Sequence, residues 1–261
     1  MNAHRSTRHA TRFKIAVATA ALEIAVVSVL APSTVFAAGN AACTDLPGTH
    51  AYARRHVTKV VGAEVKIDRD APLLCIGYQT HPPVGSFSYA SAEIAFTGNA
   101  IIQVGYMKCY TPVYSFCNAT NRYFYAWGRV AGQGTCTDTV GAQPRDLGPS
   151  TSGVHRFTVY RNTTQVVFQI DGTTMDTIPI GSVSCWTAKD MIASGETWDT
   201  GDQMGGVVGA HQHFTGAIYE ANVGGAWLSS SFTTCVEDGV YQCSLPGGGG
   251  QSVDIWTDRG G

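Results

Sequence analysis

Residues 154–180 read VHRFTVYRNTTQVVFQIDGTTMDTIPI. Three short runs stand out in them: Val154–Arg161, Gln165–Ile170 and Thr174–Ile180. Val159, Val166, Val167, Phe168 and Ile170 suit a pleated, half-buried surface. The breaks, Asn162-Thr163-Thr164 and Asp171-Gly172, carry the residues that hairpin turns require. Outward from this stretch the same pattern recurs at Phe87–Phe96, Ala100–Lys108, Arg122–Val130, His213–Val223 and Ala226–Phe232, with Gly98-Asn99 as a further turn. Gly247–Gly250 form a flexible tract before a final strand at Ser252–Trp256. Tyr52–Val61 is read as a short helix and Ala63–Ile67 as a strand. No long amphipathic helix follows residue 62. Many short strands with glycine-rich turns predict an all-β sandwich or barrel.

The chain has 261 residues, 30 glycines and 14% charged residues against 44% hydrophobic ones. This excludes a disordered tail, a coiled coil and a collagen-like fibre. Met1–Lys14 hold Arg5, Arg8, Arg12 and Lys14 with no acid, Ile15–Leu30 is mostly apolar, and Val35-Phe36-Ala37-Ala38 offers small residues. That order predicts a secretory leader over 1–38, cleaved after Ala37 or Ala38. Glu23 in the apolar run argues against a permanent anchor, so the exported chain is expected to keep no stable membrane association. Loss of the four basic residues leaves the remainder more acidic than the whole chain's net charge of −2. Nucleic acid is thereby excluded as the expected partner, since phosphate binding needs many Lys/Arg contacts.

All eight cysteines follow the leader: Cys43, Cys75, Cys109, Cys117, Cys136, Cys185, Cys235 and Cys243. An even number in an exported chain predicts a disulfide framework. Proximity favours Cys235–Cys243 and either Cys109–Cys117 or Cys117–Cys136. Expected organisation is a leader at 1–38, an N-terminal segment at 39–85 in the place of a pro-region, a sandwich at 86–245 and a tail at 246–261.

Several chemistries are absent as motifs. There is no G-x-S-x-G elbow, no H-E-x-x-H helix and no P-loop. Neither a cofactor nor a metal is expected: no C-x-x-C pair is present, and His211-Gln212-His213 lacks an obvious third ligand, His155 being the nearest candidate. Glu196, Asp199 and Asp202 are spaced by three, which alternates their faces in a strand and suits a paired-carboxylate glycosidase poorly. Asn118-Ala119-Thr120 and Asn162-Thr163-Thr164 fit the glycosylation sequon, and ordinary loop asparagines fit as well.

Two segments concentrate the remaining chemistry. In Ala100-Ile101-Ile102-Gln103-Val104-Gly105-Tyr106-Met107, Ile101, Gln103, Gly105 and Met107 share one face and Ile102, Val104 and Tyr106 the other. Both faces are apolar, which predicts a central, covered strand. Gln103 is the polar exception and needs partners, at a penalty of about 1–3 kcal/mol if it has none. Gly105 is expected to leave space above the sheet. The second segment is Ala193-Ser194-Gly195-Glu196-Thr197-Trp198-Asp199, where few cations flank Glu196. Apolar surroundings raise a carboxyl pKa and suit it to proton transfer.

Together these segments carry a resemblance. Gln103 in A-I-I-Q-V-G-Y resembles the catalytic glutamine strand of the eqolisin glutamic peptidases, and Glu196 resembles their glutamate. Over residues 86–222 the chain is similar to the neprosin family as well, through Gly195-Glu196, Met204-Gly205, His213-Phe214 and the aromatic strand Arg122-Tyr123-Phe124-Tyr125-Ala126-Trp127. Gln103 stands where neprosins have a glutamate, and Tyr106 where they have a tryptophan. The resemblance implies an antiparallel β-sandwich of concanavalin-like jelly-roll type, held by disulfides. It implies a secreted endopeptidase acting on peptides or proteins, with Glu196 as general base and Gln103 as oxyanion donor. Tyr106, Trp127 and Trp198 are expected to line the substrate cleft, core packing being the alternative. The competing expectation is a silent sandwich module that binds glycan or cell-wall polymer, with a glycoside hydrolase third.

Overall fold

The computed structural model describes residues 50–258 apart from 58, 70–71, 73, 75–85, 98–99, 112–113, 130–142, 184–186, 198–201 and 249. They belong to one compact unit spanning 42–261. The described residues form fifteen strands: β1 (His50–His56), β2 (Gly62–Asp68), β3 (Ser86–Phe96), β4 (Ala100–Tyr110), β5 (Asn118–Arg129), β6 (Arg145–Pro149), β7 (Val154–Arg161), β8 (Gln165–Ile170), β9 (Thr173–Pro179), β10 (Ala188–Thr197), β11 (Gln212–Glu220), β12 (Trp227–Ser229), β13 (Thr234–Val236), β14 (Tyr241–Ser244) and β15 (Val253–Thr257). No α-helix occurs among the described residues, and none of their helices is long and apolar enough to cross a membrane.

The first sheet has seven strands in the order β13-β1-β10-β3-β4-β5-β6, and the second has eight, built on β14-β15-β11-β2-β7-β8-β9 with β12 beside β11. All these pairings are antiparallel. The fold is therefore the expected antiparallel β-sandwich of the jelly-roll class. The stretch at 154–180 forms β7, β8 and β9. Asp171 and Gly172 both take positive φ, 52° and 81°, as the tight β8–β9 hairpin demands.

Alternation builds the core. Ala90, Ala92 and Ile94 of β3 and Ile102, Val104 and Tyr106 of β4 face inward. They join Ala63, Val65 and Ile67 of β2, Phe157 and Val159 of β7, and Phe168 of β8. Full burial of each large side chain stabilises by about 1.5–3 kcal/mol. A smaller apolar cluster lies on the outer face of the first sheet: Phe87, Tyr89, Met107, Cys109, Cys117, Phe124 and Ala126. The Cys109–Cys117 disulfide closes it. The Cys235–Cys243 disulfide joins β13, an edge of one sheet, to β14, an edge of the other. Cys43, Cys75, Cys136 and Cys185 lie outside the described residues, as does the leader.

Three expectations need correction. The helix expected at 52–61 is replaced by a strand: His50–His56 form β1, which pairs with β10 and β13, because Ala51 and Ala53 enter the core while Tyr52 and Arg54 face out. The segments at 39–85 and 246–261 are not wholly separate from the sandwich, since β1, β2 and β15 are integral strands. Gly105 does not leave space, because a Cβ there would collide with the Ala90 carbonyl oxygen. Glycine is what allows β3 and β4 to approach at that point.

Candidate functional site

The outer face of the first sheet carries a polar stripe on an apolar ground. Tyr89, Ser91 and Glu93 alternate along β3 and so share one face. Gln103 of β4 stands directly opposite Glu93. Glu196 of β10 stands opposite Tyr89 on one side and opposite His50 of β1 on the other. The structure thus places Gln103 and Glu196 on the same face, two strands apart, with β3 between them.

Tyr89 links the two. Its hydroxyl donates to Glu196 Oε2. Gln103 is close enough to the phenol to lower its pKa, against the larger upward push of burial and Glu196. The amide oxygen is fixed: Ser91 Oγ donates to Gln103 Oε1 at 3.1 Å. With its oxygen held by Ser91, the amide keeps its N–H groups to donate. Gln103 is only 3% exposed, so its polar partners matter.

The electrostatics follow from burial. Desolvation pushes the Glu93 carboxyl up to about 8, helped by the negative charge of Glu196 and opposed by Ser91. Glu93 therefore stays protonated through neutral pH. Desolvation raises Glu196 too, but the Tyr89 bond and nearby His50 favour its charged form. Tyr89 is held well above its ordinary value, chiefly by burial and then by Glu196. Two carboxyls on one floor, with environments pushing them apart, give one proton holder and one candidate base. Above them lies a cleft of about 420 Å³, whose lining includes His50, Tyr52, Glu93, Ser194 and Glu196.

The other expected site residues fall elsewhere. Tyr106 is 1% exposed and in the main core, with its hydroxyl donating to Asp68 O at 3.1 Å. Trp127 packs against the same core, opposite Ile102. Both sit on the inner face of the sheet and neither lines the cleft, because alternation from Gln103 sends Tyr106 to the opposite side. Trp198 and Asp199 lie outside the described residues. Asp202 is fully buried and structural, accepting the Phe87 N–H at 2.7 Å. His211 and His213 flank Asp254, with His213 Nδ1 at 2.7 Å, while His155 is held by Asp171 and Thr151. No cluster of three or more metal-ligating side chains occurs among the described residues.

Sequence reasoning missed Tyr89, Ser91, Glu93 and His50. The signal for the first three was present as Y-x-S-x-E, a polar stripe of period two within an apolar strand. His50 was hidden because it lies just before Tyr52–Val61, the stretch read as a helix, so the strand it opens was not recognised.

Neither a protein-family model nor a curated protein matches the chain. Solved structures do. SCP-B, a member of the eqolisin family of peptidases in complex with the tripeptide Ala-Ile-His, aligns with a TM-score of 0.50 over 81% of this chain and 99% of its own, at 11% identity. A glycoside hydrolase family 16 endo-glucanase from Bacteroides ovatus gives 0.34 over 59% and 68%, at 10% identity. A toad ovary galectin bound to thio-digalactose gives 0.31 over 64% and 98%, at 14% identity. At such identities the likeness shows the sandwich fold alone.

Proposed function

We propose that this protein is an exported hydrolase of the glutamic-peptidase type that cleaves peptide bonds in the cleft over Glu93 and Glu196. One observation carries the reading. Glu196, a desolvated carboxyl, is held by the Tyr89 hydroxyl on the same face as a Gln103 amide whose oxygen is already occupied. A base, a neutral acid and an N–H donor are the parts that acyl transfer to water requires.

In this mechanism ionised Glu196 takes a proton from a water molecule as its oxygen attacks the scissile carbonyl. The Gln103 N–H donates to the oxyanion that forms, while the Tyr89 O–H holds Glu196 in place. Collapse breaks the C–N bond, and Glu196 returns the proton to the leaving amine. Protonated Glu93 keeps the floor at a single negative charge, so the developing oxyanion is not repelled. The arrangement also bears on the neprosin resemblance, because Glu93 restores a second carboxyl directly opposite Gln103.

The test is hydrolysis of casein and a peptide library by the purified protein from pH 3 to 9, beside Glu196→Gln. Cleavage by the wild type and its loss in the variant are expected. No cleavage at any pH overturns the reading, and equal cleavage by the variant overturns the assignment of the base.

A further inference from the structure

The outer face of the second sheet holds a separate cavity of about 530 Å³, within the range of small-molecule sites. Trp227 of β12 lies down on this sheet: a Cβ on Gly62 would come within 2.7 Å of the indole. Tyr160 of β7 meets the indole edge-on, with ring centroids 6.4 Å apart. Beside this aromatic corner stand Glu64, Glu220, Arg156 and Gln169. Glu64 accepts from Thr158 Oγ1 at 2.8 Å and faces Arg156 at 3.9 Å. Glu220 differs from it. It is 3% exposed, borders the cavity, and its carboxylate has no hydrogen-bond or ion-pair partner among the described residues. Its carboxyl oxygens are not sealed in the interior, so they can accept from a group bound in the cavity.

The mixture of groups defines what would satisfy it. A cation would call for acceptors alone, and an anion for donors alone. Here carboxylates accept, the Arg156 guanidinium donates and the Gln169 amide does both. That set matches hydroxyl groups, each of which donates and accepts. The flat indole face matches the apolar C–H face of a sugar ring. We propose that this cavity is a binding site for a neutral pyranose unit of an oligosaccharide, stacked on Trp227 with its hydroxyls on Glu220, Glu64 and Arg156. The site shares no residue with the cleft of the first sheet, so it stands whether or not that cleft hydrolyses peptides.

The test is calorimetric titration of the disulfide-intact protein with neutral gluco-, manno- and galacto-configured oligosaccharides at up to millimolar concentration. At least one series binds and changes tryptophan fluorescence. Trp227→Ala and the isosteric Glu220→Gln each weaken binding about tenfold or more, with Glu220→Gln melting no lower than the wild type. Glu196→Gln binds as the wild type does. Absence of binding in every series overturns the proposal. So does binding that survives both Trp227→Ala and Glu220→Gln, or a site at Trp227 that takes a lysine-rich peptide in preference to every saccharide.

Discussion

Two acids of the first sheet have opposite fates. Asp146 on β6 receives two bonds from Arg122, Nε at 2.5 Å and Nη2 at 2.6 Å. Partial burial pushes its pKa up, but the Arg122 fork and the Gly148 N–H outweigh that, and the carboxyl ends below its ordinary value. Glu93 on β3 is buried without a cation and is pushed to about 8. The difference is one of address. β6 is an edge strand, where a solvated arginine can reach the acid. β3 lies between β10 and β4, and its outer face is walled by the cluster around Phe87 and Phe124. An edge acid is a structural clasp, whereas a central acid without a partner keeps its proton and becomes available for chemistry.

The sharpest way to break this contrast is at Glu196. Glu196→Gln removes the base and should lower kcat/KM for peptide cleavage by about 10²–10⁴-fold. Gln103→Ala removes the oxyanion donor and should lower kcat by about 10²-fold or more. Tyr89→Phe removes a bond that favours ionised Glu196, so the acidic limb of the pH–rate profile should move to higher pH. Unchanged limbs in that variant would detach Tyr89 from the site.

Smaller effects separate structure from chemistry. Replacing Cys235 and Cys243 together unlocks the two sheet edges and should lower stability by about 2–4 kcal/mol in denaturant unfolding. Glu93 predicts a pH effect on stability. Its folded pKa lies above the unfolded value, so the folded state binds the extra proton. Stability should fall as pH rises from near the ordinary glutamate range towards about 8, and Glu93→Gln should flatten that slope. The Asp146–Arg122 pair works in the opposite sense, with stability lost as pH falls through the depressed Asp146 pKa. Asp146→Asn should lower stability by about 1 kcal/mol or less, since both partners are partly solvated.

Much of this molecule is legible in the sequence, and the gaps have physical causes. β7, β8 and β9 are readable because β-branched residues alternate between strong turn signals. Gln103 and Glu196 stand out as polar residues in apolar or uncharged surroundings. β10 is not readable: Ala188–Thr197 is mostly small residues, buried on both faces from Asp190 to Gly195, with weak intrinsic strand preference. β1 is masked by Arg54-Arg55-His56, which reads as a solvated run, although Ala51 and Ala53 mark its inner face. The pairing of Glu93 with Gln103 depends on the register of the β3–β4 hairpin, and a shift of one residue would send Glu93 to the core. Tyr106 is different: alternation already sets it on the face opposite Gln103, so its expected place in the cleft conflicts with the sequence itself, whereas the side taken by Trp127 depends on the β4–β5 register.

The central claim is that two carboxyls on one floor titrate apart, with Glu93 holding its proton. It is tested most directly by a ¹³C NMR titration of the intact protein carrying glutamate labelled at the carboxyl carbon. One resonance titrating at about pH 8, absent in Glu93→Gln, is the expected result. Every glutamate titrating in the ordinary carboxylate range near 4 would contradict it.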